Sequence, residues 1–281
     1  MKLVTYLADA QPEIGVIVDE ATIVPLGSIA SDMIALIAHW DAVRAQVEAL
    51  AAARSNTVGL ASVRLLAPVP RPGKIFAIGL NYADHVAETG MPTPANQIWF
   101  TKAGTSVNGP YDPVQIPRGS MMTDYEVELV AVIGKGGRHI SKDDAASHVF
   151  GYCVGNDVSE RAWQMRSPQF CLGKSFDTHA PFGPWITTSE AAGDVHDRAI
   201  RCLVNGEERQ VSNTRHLIFN VWAQIAELSQ AMTLEPGDVI FTGTPGGVGV
   251  AMKPMQMLKA GDAMRCEIDG LGFIEAHCVA E

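Results

Sequence analysis

The first 27 residues carry three short apolar runs separated by polar turn residues, at positions 3–6, 14–18 and 22–24. Such runs are typical of strands, so we expect a small β-meander at the start of the chain. Apolar residues then recur at helical spacing between Met33 and Leu50. This pattern predicts a helix with one packing face, and Ser31 is its expected N-cap.

Three prolines at alternate positions interrupt the chain between residues 67 and 74. Proline removes a backbone donor and blocks helix continuation, so this segment cannot be regular helix. We therefore predict a small N-terminal domain at residues 1–66, a linker at 67–74 and a larger domain at 75–281.

The larger domain is mostly a succession of short strand-like runs. They lie at residues 75–79, 99–102, 113–117, 124–134, 149–155, 199–204, 239–241, 263–268 and 272–276. One longer helical pattern, at 217–228, interrupts them. We therefore expect a domain in which strands outnumber helices.

The strand at 124–134 holds two carboxylates, Glu126 and Glu128, among apolar neighbours. Side chains two apart share one face of a strand, and two unpaired carboxylates are costly to bury. A divalent cation with a preference for oxygen ligands would remove that cost. The alternative is a solvated polar face. Asp157, which follows the strand at 149–155, supplies a third carboxylate, although an aspartate there can also be a helix cap.

His85 and Glu88 lie three residues apart on a predicted helical turn, where they would be neighbours. The functional hypothesis is a general-base pair in which the carboxylate orients the imidazole; the alternative is an ordinary surface hydrogen bond. Residues 91–96 are loop-like, so we expect residues 81–96 to form a lid that orders when a ligand binds.

Three further polar side chains are candidates for ligand contacts. Arg161 and Gln164 follow Asp157 roughly along one helical face, which would place a planar cationic donor beside the carboxylates. The alternative for Arg161 is a surface ion pair. Lys174 lies in a short polar stretch, and it is either a partly buried amine or an ordinary surface lysine.

Glycines at 243, 246, 247 and 249 follow the strand at 239–241. They allow close backbone approach to an anionic ligand, or a tight connection between strands. The segment is neither a P-loop nor a dinucleotide-binding fingerprint, because it lacks the Gly-Lys-Ser/Thr end and the βαβ setting.

Composition narrows the class of protein. Of the 281 residues, 47% are hydrophobic and 19% charged, which is typical of a globular protein with a substantial core. The formal charge of −10, without a basic cluster, argues against a nucleic-acid partner. We find no apolar run that could span a membrane and no secretory signal, and the five scattered cysteines lack a C-x-x-C pair. A cytoplasmic protein with reduced thiols is therefore expected.

Five motifs in a fixed order give a more specific indication. They are Asn81-Tyr82-x-x-His85-x-x-Glu88, Asp124-Tyr125-Glu126-Val127-Glu128, Gly155-Asn156-Asp157-Val158-Ser159-x-Arg161-x-x-Gln164, Gly173-Lys174-Ser175 and Gly243-Thr244-Pro245-x-Gly247-Val248-Gly249. With these motifs the chain resembles the fumarylacetoacetate hydrolase family over residues 70–281. Its first part is similar to the small leading domain of the longer bacterial members.

The resemblance implies an α+β fold, with a mixed β-roll or β-sandwich catalytic domain, a small N-terminal α/β domain and a homodimer. It implies one Mg²⁺ or Mn²⁺ per subunit, held by Glu126, Glu128 and Asp157. It also implies a catalytic role for His85, Glu88 and Lys174, and substrate contacts for Arg161, Gln164 and Thr244.

The reaction that this resemblance implies is cleavage of a 2,4-diketo acid, an acylpyruvate or a diketo-deoxy sugar acid, to pyruvate and a carboxylic acid. The same kind of site would also serve an oxaloacetate-type decarboxylase or an unsaturated keto-acid isomerase, because each reaction passes through an enolate. A catalytically silent metal-binding protein is the alternative from another class. No nucleic-acid or membrane partner is expected.

Overall fold

The structure is a computed structural model that describes residues 1–90 and 92–281. Met91 lies outside the described residues, and it belongs to the lid expected at residues 81–96. That lid stays a prediction.

Strands make up most of the regular structure. In chain order they are β1 (Lys2–Ala8), β2 (Gln11–Asp19), β3 (Thr22–Pro25), β4 (Val58–Gly59), β5 (Arg64–Leu65), β6 (Ile75–Gly79), β7 (Ile98–Thr101), β8 (Val107–Asn108), β9 (Val114–Ile116), β10 (Thr123–Asp124), β11 (Val127–Ile133), β12 (Val149–Asn156), β13 (Ser159–Glu160), β14 (Ala180–Thr188), β15 (Ala199–Val204), β16 (Glu207–Asn213), β17 (Val239–Phe241), β18 (Ala263–Ile268) and β19 (Gly272–Ala280).

The helices are shorter and are spread along the chain. They are α1 (Met33–Ala38), α2 (Trp40–Ala53), α3 (Ala83–Thr89), α4 (Arg161–Gln164), α5 (Cys171–Lys174), α6 (Ser189–Ala192) and α7 (Val221–Ala231). Within the described residues, no helix is both long and apolar enough to cross a membrane.

The largest sheet has the strand order β4-β3-β2-β1-β14-β12-β11-β17-β6-β7, with β5 beside β1 and β8 beside β14. A five-stranded sheet has the order β16-β15-β18-β19-β9, and β10 pairs with β13. The expected N-terminal meander is confirmed, and β1 continues the main sheet by pairing with β14. The domain boundaries at 66 and 75 stay a prediction.

Strand β11 lies between two apolar clusters. Its odd-numbered residues Leu129 and Ala131 belong to one buried cluster, and Val130 and Val132 belong to the other. A strand buried on both faces has a continuous apolar run, and residues 129–133 of β11 form one, after Glu128. The mixed sheets with few helices confirm the expected α+β class.

Two predicted helix starts are wrong. The cap of α1 is Asp32, whose Oδ1 accepts a hydrogen bond from the Ala35 N–H at 2.8 Å, while the Ser31 hydroxyl only donates to Asp32. The helix expected from residue 217 begins at Val221, because Asn220 caps it by accepting from the Ala223 N–H. In both cases a nearby Asp or Asn side chain sets the start.

Candidate active site

Three buried carboxylates meet where β11 begins and β12 ends. In the β11–β12 register Val127 lies opposite Asn156, so Glu126 and Asp157 are the next residues outward on their chains. The Asp157 N–H donates to the Glu126 carbonyl at 2.9 Å. Oxygens of Glu126, Glu128 and Asp157 lie within 4.8 Å of one another. The strand is shorter than expected, since it starts at Val127, yet the two glutamates still meet.

The two glutamates have opposite electrostatic surroundings. Lys174 Nζ lies 2.7 Å from a Glu126 oxygen, and an Arg161 nitrogen lies 2.6 Å from the other. Burial opposes ionisation, but these two cations lower the pKa of Glu126 to about 2. Burial, together with the charges of Asp157 and Glu126, raises the pKa of Glu128 well above its usual range. The difference leaves Glu128 as the carboxylate in need of a cation.

The donor set fits a divalent metal ion. Glu126 and Asp157 form ion pairs with buried cations, whereas Glu128 forms none with any residue among 1–90 and 92–281. Within these residues, the Glu128 carboxylate accepts only the Gly243 N–H, at 2.8 Å. A buried carboxylate without a cationic partner is costly. Three converging carboxylates supply the oxygen ligands that Mg²⁺ and Mn²⁺ prefer. Glu126, Glu128 and Asp157 would hold such an ion.

Lys174 is a buried amine, so the surface-lysine alternative is wrong. Its Nζ donates to Glu126 and to Asp157, at 2.7 Å each, and lies 4.9 Å from the centre of the Phe100 ring. Burial disfavours the charged form, but Asp157 and Glu126 raise the pKa of Lys174 above its usual value. The amine is therefore an ammonium that can donate hydrogen bonds.

Lys102 is a second buried lysine, which the sequence reasoning missed. It donates to Asp157 Oδ1 at 2.5 Å and to the Val158 carbonyl at 3.3 Å. Burial lowers the pKa of Lys102, Asp157 opposes that shift, and the charge of Lys174 adds to it. Its position directly after strand β7, which contains Trp99 and Phe100, was the signal in the sequence that could have revealed it.

Helix α4 begins at Arg161 and follows strand β13. Its cap is Glu160, whose side chain accepts from the Trp163 N–H at 2.8 Å. The expected helical face shared by Asp157, Arg161 and Gln164 is therefore wrong, and so is the helix-cap alternative for Asp157. The chain instead continues from β12 into the short strand β13, which pairs with β10, before the helix starts.

Arg161 is buried, so the surface ion pair considered for it is also wrong. It donates to Asp124 Oδ2 at 2.9 Å and to Gln164 Oε1 at 2.9 Å, besides its contact with Glu126. Burial disfavours the charge, but Glu126 and Asp124 raise the pKa of Arg161 further above its already high value. Gln164 thus lies beside the cluster through its contact with the guanidinium.

The glycine-rich segment donates its N–H groups to the chain's own carboxylates. The pairs are Gly243 to Glu128 at 2.8 Å, Gly246 to Asp84 at 3.4 Å, Gly247 to Glu88 at 2.7 Å and Gly249 to Asp124 at 2.8 Å. Gly247 has a φ of +97°, and a Cβ there would lie 2.0 Å from the Arg209 carbonyl oxygen. The anions that these four N–H groups contact are therefore the protein's own carboxylates, and contact of the segment with an anionic ligand stays a prediction.

His85 and Glu88 form the expected pair on helix α3. His85 Nδ1 and Glu88 Oε1 lie 2.7 Å apart, and Glu88 Oε2 accepts the Gly247 N–H. Since an ionised carboxylate only accepts, Nδ1 is the donor of this bond. The other ring nitrogen, Nε2, is then free to accept a proton.

A cavity of about 180 Å³ joins these groups. Its lining residues are Ile78, Gly79, Leu80, His85, Phe100, Glu126, Arg161, Gln164, Phe170, Lys174 and Thr244. The Thr244 hydroxyl donates to the Val127 carbonyl at 2.9 Å and accepts from Gln210 at 2.8 Å. A larger cavity, of about 540 Å³, lies beside α2, but none of the clustered carboxylates lines it. The small cavity is therefore the candidate active site.

Comparison with known proteins identifies the family of this chain. The family model described as fumarylacetoacetate (FAA) hydrolase C-terminal matches residues 74–279. The oxaloacetate tautomerase fahd2 of Xenopus laevis is 50% identical over 215 residues, which are 76% of this chain and 67% of that protein.

Two solved structures share the fold over the whole chain. Maleylpyruvate hydrolase from Sphingobium sp. SYK-6, in complex with manganese(II) and pyruvate, has a TM-score of 0.85 and 33% identity, covering 100% of this chain and 99% of that one. Fumarylacetoacetate hydrolase from Exiguobacterium antarcticum has a TM-score of 0.86 and 35% identity, with 100% of both chains covered.

Proposed function

Because the chain belongs to the fumarylacetoacetate hydrolase family, we propose that it hydrolyses an acylpyruvate to pyruvate and a carboxylic acid, with Mg²⁺ or Mn²⁺ bound. The observation that carries this proposal is the assembled His85–Glu88 pair on the same cavity as Lys174 and the carboxylate cluster. Hydrolysis needs a base for water, and this pair supplies one.

When bound, the divalent ion would supply a Lewis acid that polarises the 2-keto group of the substrate. His85 Nε2 takes a proton from water as the water oxygen bonds to C4 of the 2,4-diketo acid. The C3–C4 bond then breaks, and its electron pair passes to C3 and the C2 oxygen as an enolate. The proton held by His85 then passes to C3, which completes pyruvate, while C4 leaves as the carboxylic acid.

The chain's other groups have distinct parts in this proposal. Glu88 accepts a hydrogen bond from His85 Nδ1, and the Gly247 N–H donates to Glu88. These two successive hydrogen bonds fix the orientation of the imidazole ring. The ammonium of Lys174 donates to the developing enolate oxygen. Arg161, Gln164 and Thr244 would position the substrate, since all three line the cavity.

A second candidate function is interconversion of the keto and enol forms of oxaloacetate. It is favoured by the 50% identity to a protein named oxaloacetate tautomerase. His85 would then move a proton to and from C3, without addition of water. The assembled base and buried ammonium argue against a silent metal-binding protein. The homodimer and the cytoplasmic location stay predictions.

The experiment is a substrate screen with purified protein, with Mg²⁺, with Mn²⁺ and after chelation. We expect metal-dependent loss of the diketone absorbance of acetylpyruvate and formation of pyruvate. The inactive control is His85→Ala. Faster interconversion of oxaloacetate without acylpyruvate cleavage would replace the first proposal by the second. No turnover of either substrate would contradict both.

A further inference from the structure

Leu80 adopts an unusual backbone conformation at the edge of the cavity. It follows the last residue of β6 and has a φ of +54°, in the left-handed region that leucine rarely adopts. Leu80 nevertheless lines the cavity beside Ile78 and Gly79. Strain of this kind persists where the surroundings fix it, and it is concentrated at functional sites.

The next residue holds this conformation in place. Asn81 is buried, and its side-chain amide donates to the carbonyls of Thr242 at 2.7 Å and Phe219 at 2.9 Å. Its side-chain oxygen accepts the Phe219 N–H at 2.8 Å. The chain is thus fixed immediately after Leu80, which keeps this residue at the cavity.

Leu80 is part of an apolar wall, made up of Ile78, Leu80, Phe100 and Phe170. The rings of Phe100 and Phe170 meet edge to face with centroids 5.8 Å apart. Lys174 Nζ lies over the Phe100 ring, so that ring marks the border between the wall and the charged groups. A substrate held at the carboxylate cluster would extend its far end along this wall.

The cations on the cavity are already paired. Arg161 contacts Asp124 and Glu126, and Lys174 contacts Glu126 and Asp157. In the described part of the chain, the buried cluster holds four carboxylates and three cations, namely Asp124, Glu126, Glu128, Asp157, Lys102, Lys174 and Arg161. The wall residues Ile78, Leu80, Phe100 and Phe170 offer no cation of their own, so a second substrate carboxylate lying against them would be buried unpaired.

We propose that the wall around Leu80 selects acylpyruvates with a short, uncharged distal arm over those whose arm ends in a second carboxylate. This inference rests on the function proposed above and names the substrate class of that same site. The small volume of the cavity, about 180 Å³, favours a short arm. An apolar surface favours a hydrocarbon end, and it offers no hydrogen bond to a carboxylate.

The test compares two substrates of equal shape. In 4-methylpentanoylpyruvate an isopropyl group replaces the terminal carboxylate of succinylpyruvate. With Mn²⁺ present, the parent protein should have a kcat/KM for the isopropyl compound higher by about 10-fold or more. Equal values, or a preference for the carboxylate, would overturn the proposal.

Two variants assign the preference to Leu80. Leu80→Arg should invert it, because the new guanidinium pairs with the distal carboxylate. Leu80→Gly, which adopts a positive φ without strain, should keep the fold and reduce the preference to within about 3-fold. Ile98→Arg is the matched control, since Ile98 lies on the neighbouring strand β7 and does not line the cavity. A preference that survives Leu80→Gly would contradict the assignment.

A binding measurement distinguishes failure of the proposed hydrolysis from failure of the proposed selectivity. If neither compound is cleaved, the proposed function is wrong, and binding then decides the inference. The two acids would be titrated into the Mn²⁺-loaded protein by calorimetry. If the parent binds the isopropyl acid more tightly than the carboxylate, and Leu80→Arg does not, the proposed selectivity of the apolar wall is still supported. Equal binding would overturn it.

Discussion

The carboxylate cluster and the base helix α3 are supported in different ways. The cluster is fixed by the β11–β12 register between two buried apolar clusters, so its geometry follows from the sheet. Helix α3 has seven residues, among them the buried Val86, and the hydrogen bonds of Asp84 and Glu88 join it to the rest of the site. Changes in helix α3 should therefore impair base catalysis and leave cation binding by the carboxylate cluster unchanged.

The comparison predicts that removal of the base leaves cation binding intact. His85→Ala should lower kcat/KM for acylpyruvate hydrolysis by about 10²–10⁴-fold, because general-base catalysis typically contributes that much. Its affinity for Mn²⁺ should match the parent's, and any oxaloacetate decarboxylation should survive much better. His277→Ala, at an exposed position on β19, is the control. Hydrolysis at the parent rate would show that another group is the base.

The buried cations should affect stability as well as chemistry. Lys102→Met leaves Asp157 Oδ1 without its ammonium, and loss of one partner of a buried pair costs about 3–5 kcal/mol. We expect the free energy of unfolding in urea to fall by that amount, and Mn²⁺ to restore part of it. Lys142→Met, at an exposed position, should change nothing. An unchanged unfolding midpoint for Lys102→Met would contradict the assigned contact.

The smallest expected effect concerns the anchor of the base helix. Asp84 accepts the Ser212 hydroxyl at 2.5 Å and lies 3.4 Å from the Gly246 nitrogen. Asp84→Asn weakens these bonds to a charged acceptor, so we expect kcat to fall by about tenfold with Mn²⁺ affinity unchanged.

Hydrogen exchange is the second measurement on Asp84→Asn. Amides in residues 83–89 should exchange faster than in the parent, and pyruvate with Mn²⁺ should protect them in the parent. The control is Asp41→Asn, at an exposed position in the first turn of α2. If exchange in residues 83–89 is identical in Asp84→Asn and the parent, Asp84 does not anchor the helix.

The sequence predicted the parts of the site that depend on local spacing. Glu126 and Glu128 share a face because strand side chains alternate, and His85 meets Glu88 because residues three apart adjoin on a helix. Both relations hold in the structure, despite the break at Tyr125 and Glu126 between β10 and β11.

The parts that the sequence did not predict depend on pairing between distant segments. Lys102 reaches Asp157 across 55 positions of sequence, and Gly243 reaches Glu128 across 115. Neither contact has a spacing that could be read from the chain. The burial of Arg161 was not predicted for a similar reason. Strand β13 lies between Asp157 and Arg161 and pairs with the distant strand β10, and the sequence spacing did not indicate this pairing.

Calorimetric titration with Mn²⁺ tests the central claim most directly. We expect one ion per subunit in the parent and an affinity at least about 100-fold lower in Glu128→Gln, since loss of a residue that only supports a metal ligand already costs about 10–100-fold. Because burial already disfavours a charged Glu128, the metal-free variant should be at least as stable as the metal-free parent. Acylpyruvate turnover by the parent should vanish on exhaustive chelation and return with Mn²⁺. Parent-like Mn²⁺ affinity in Glu128→Gln would show that Glu128 does not bind the ion. Full turnover after chelation would show that the reaction does not need a metal.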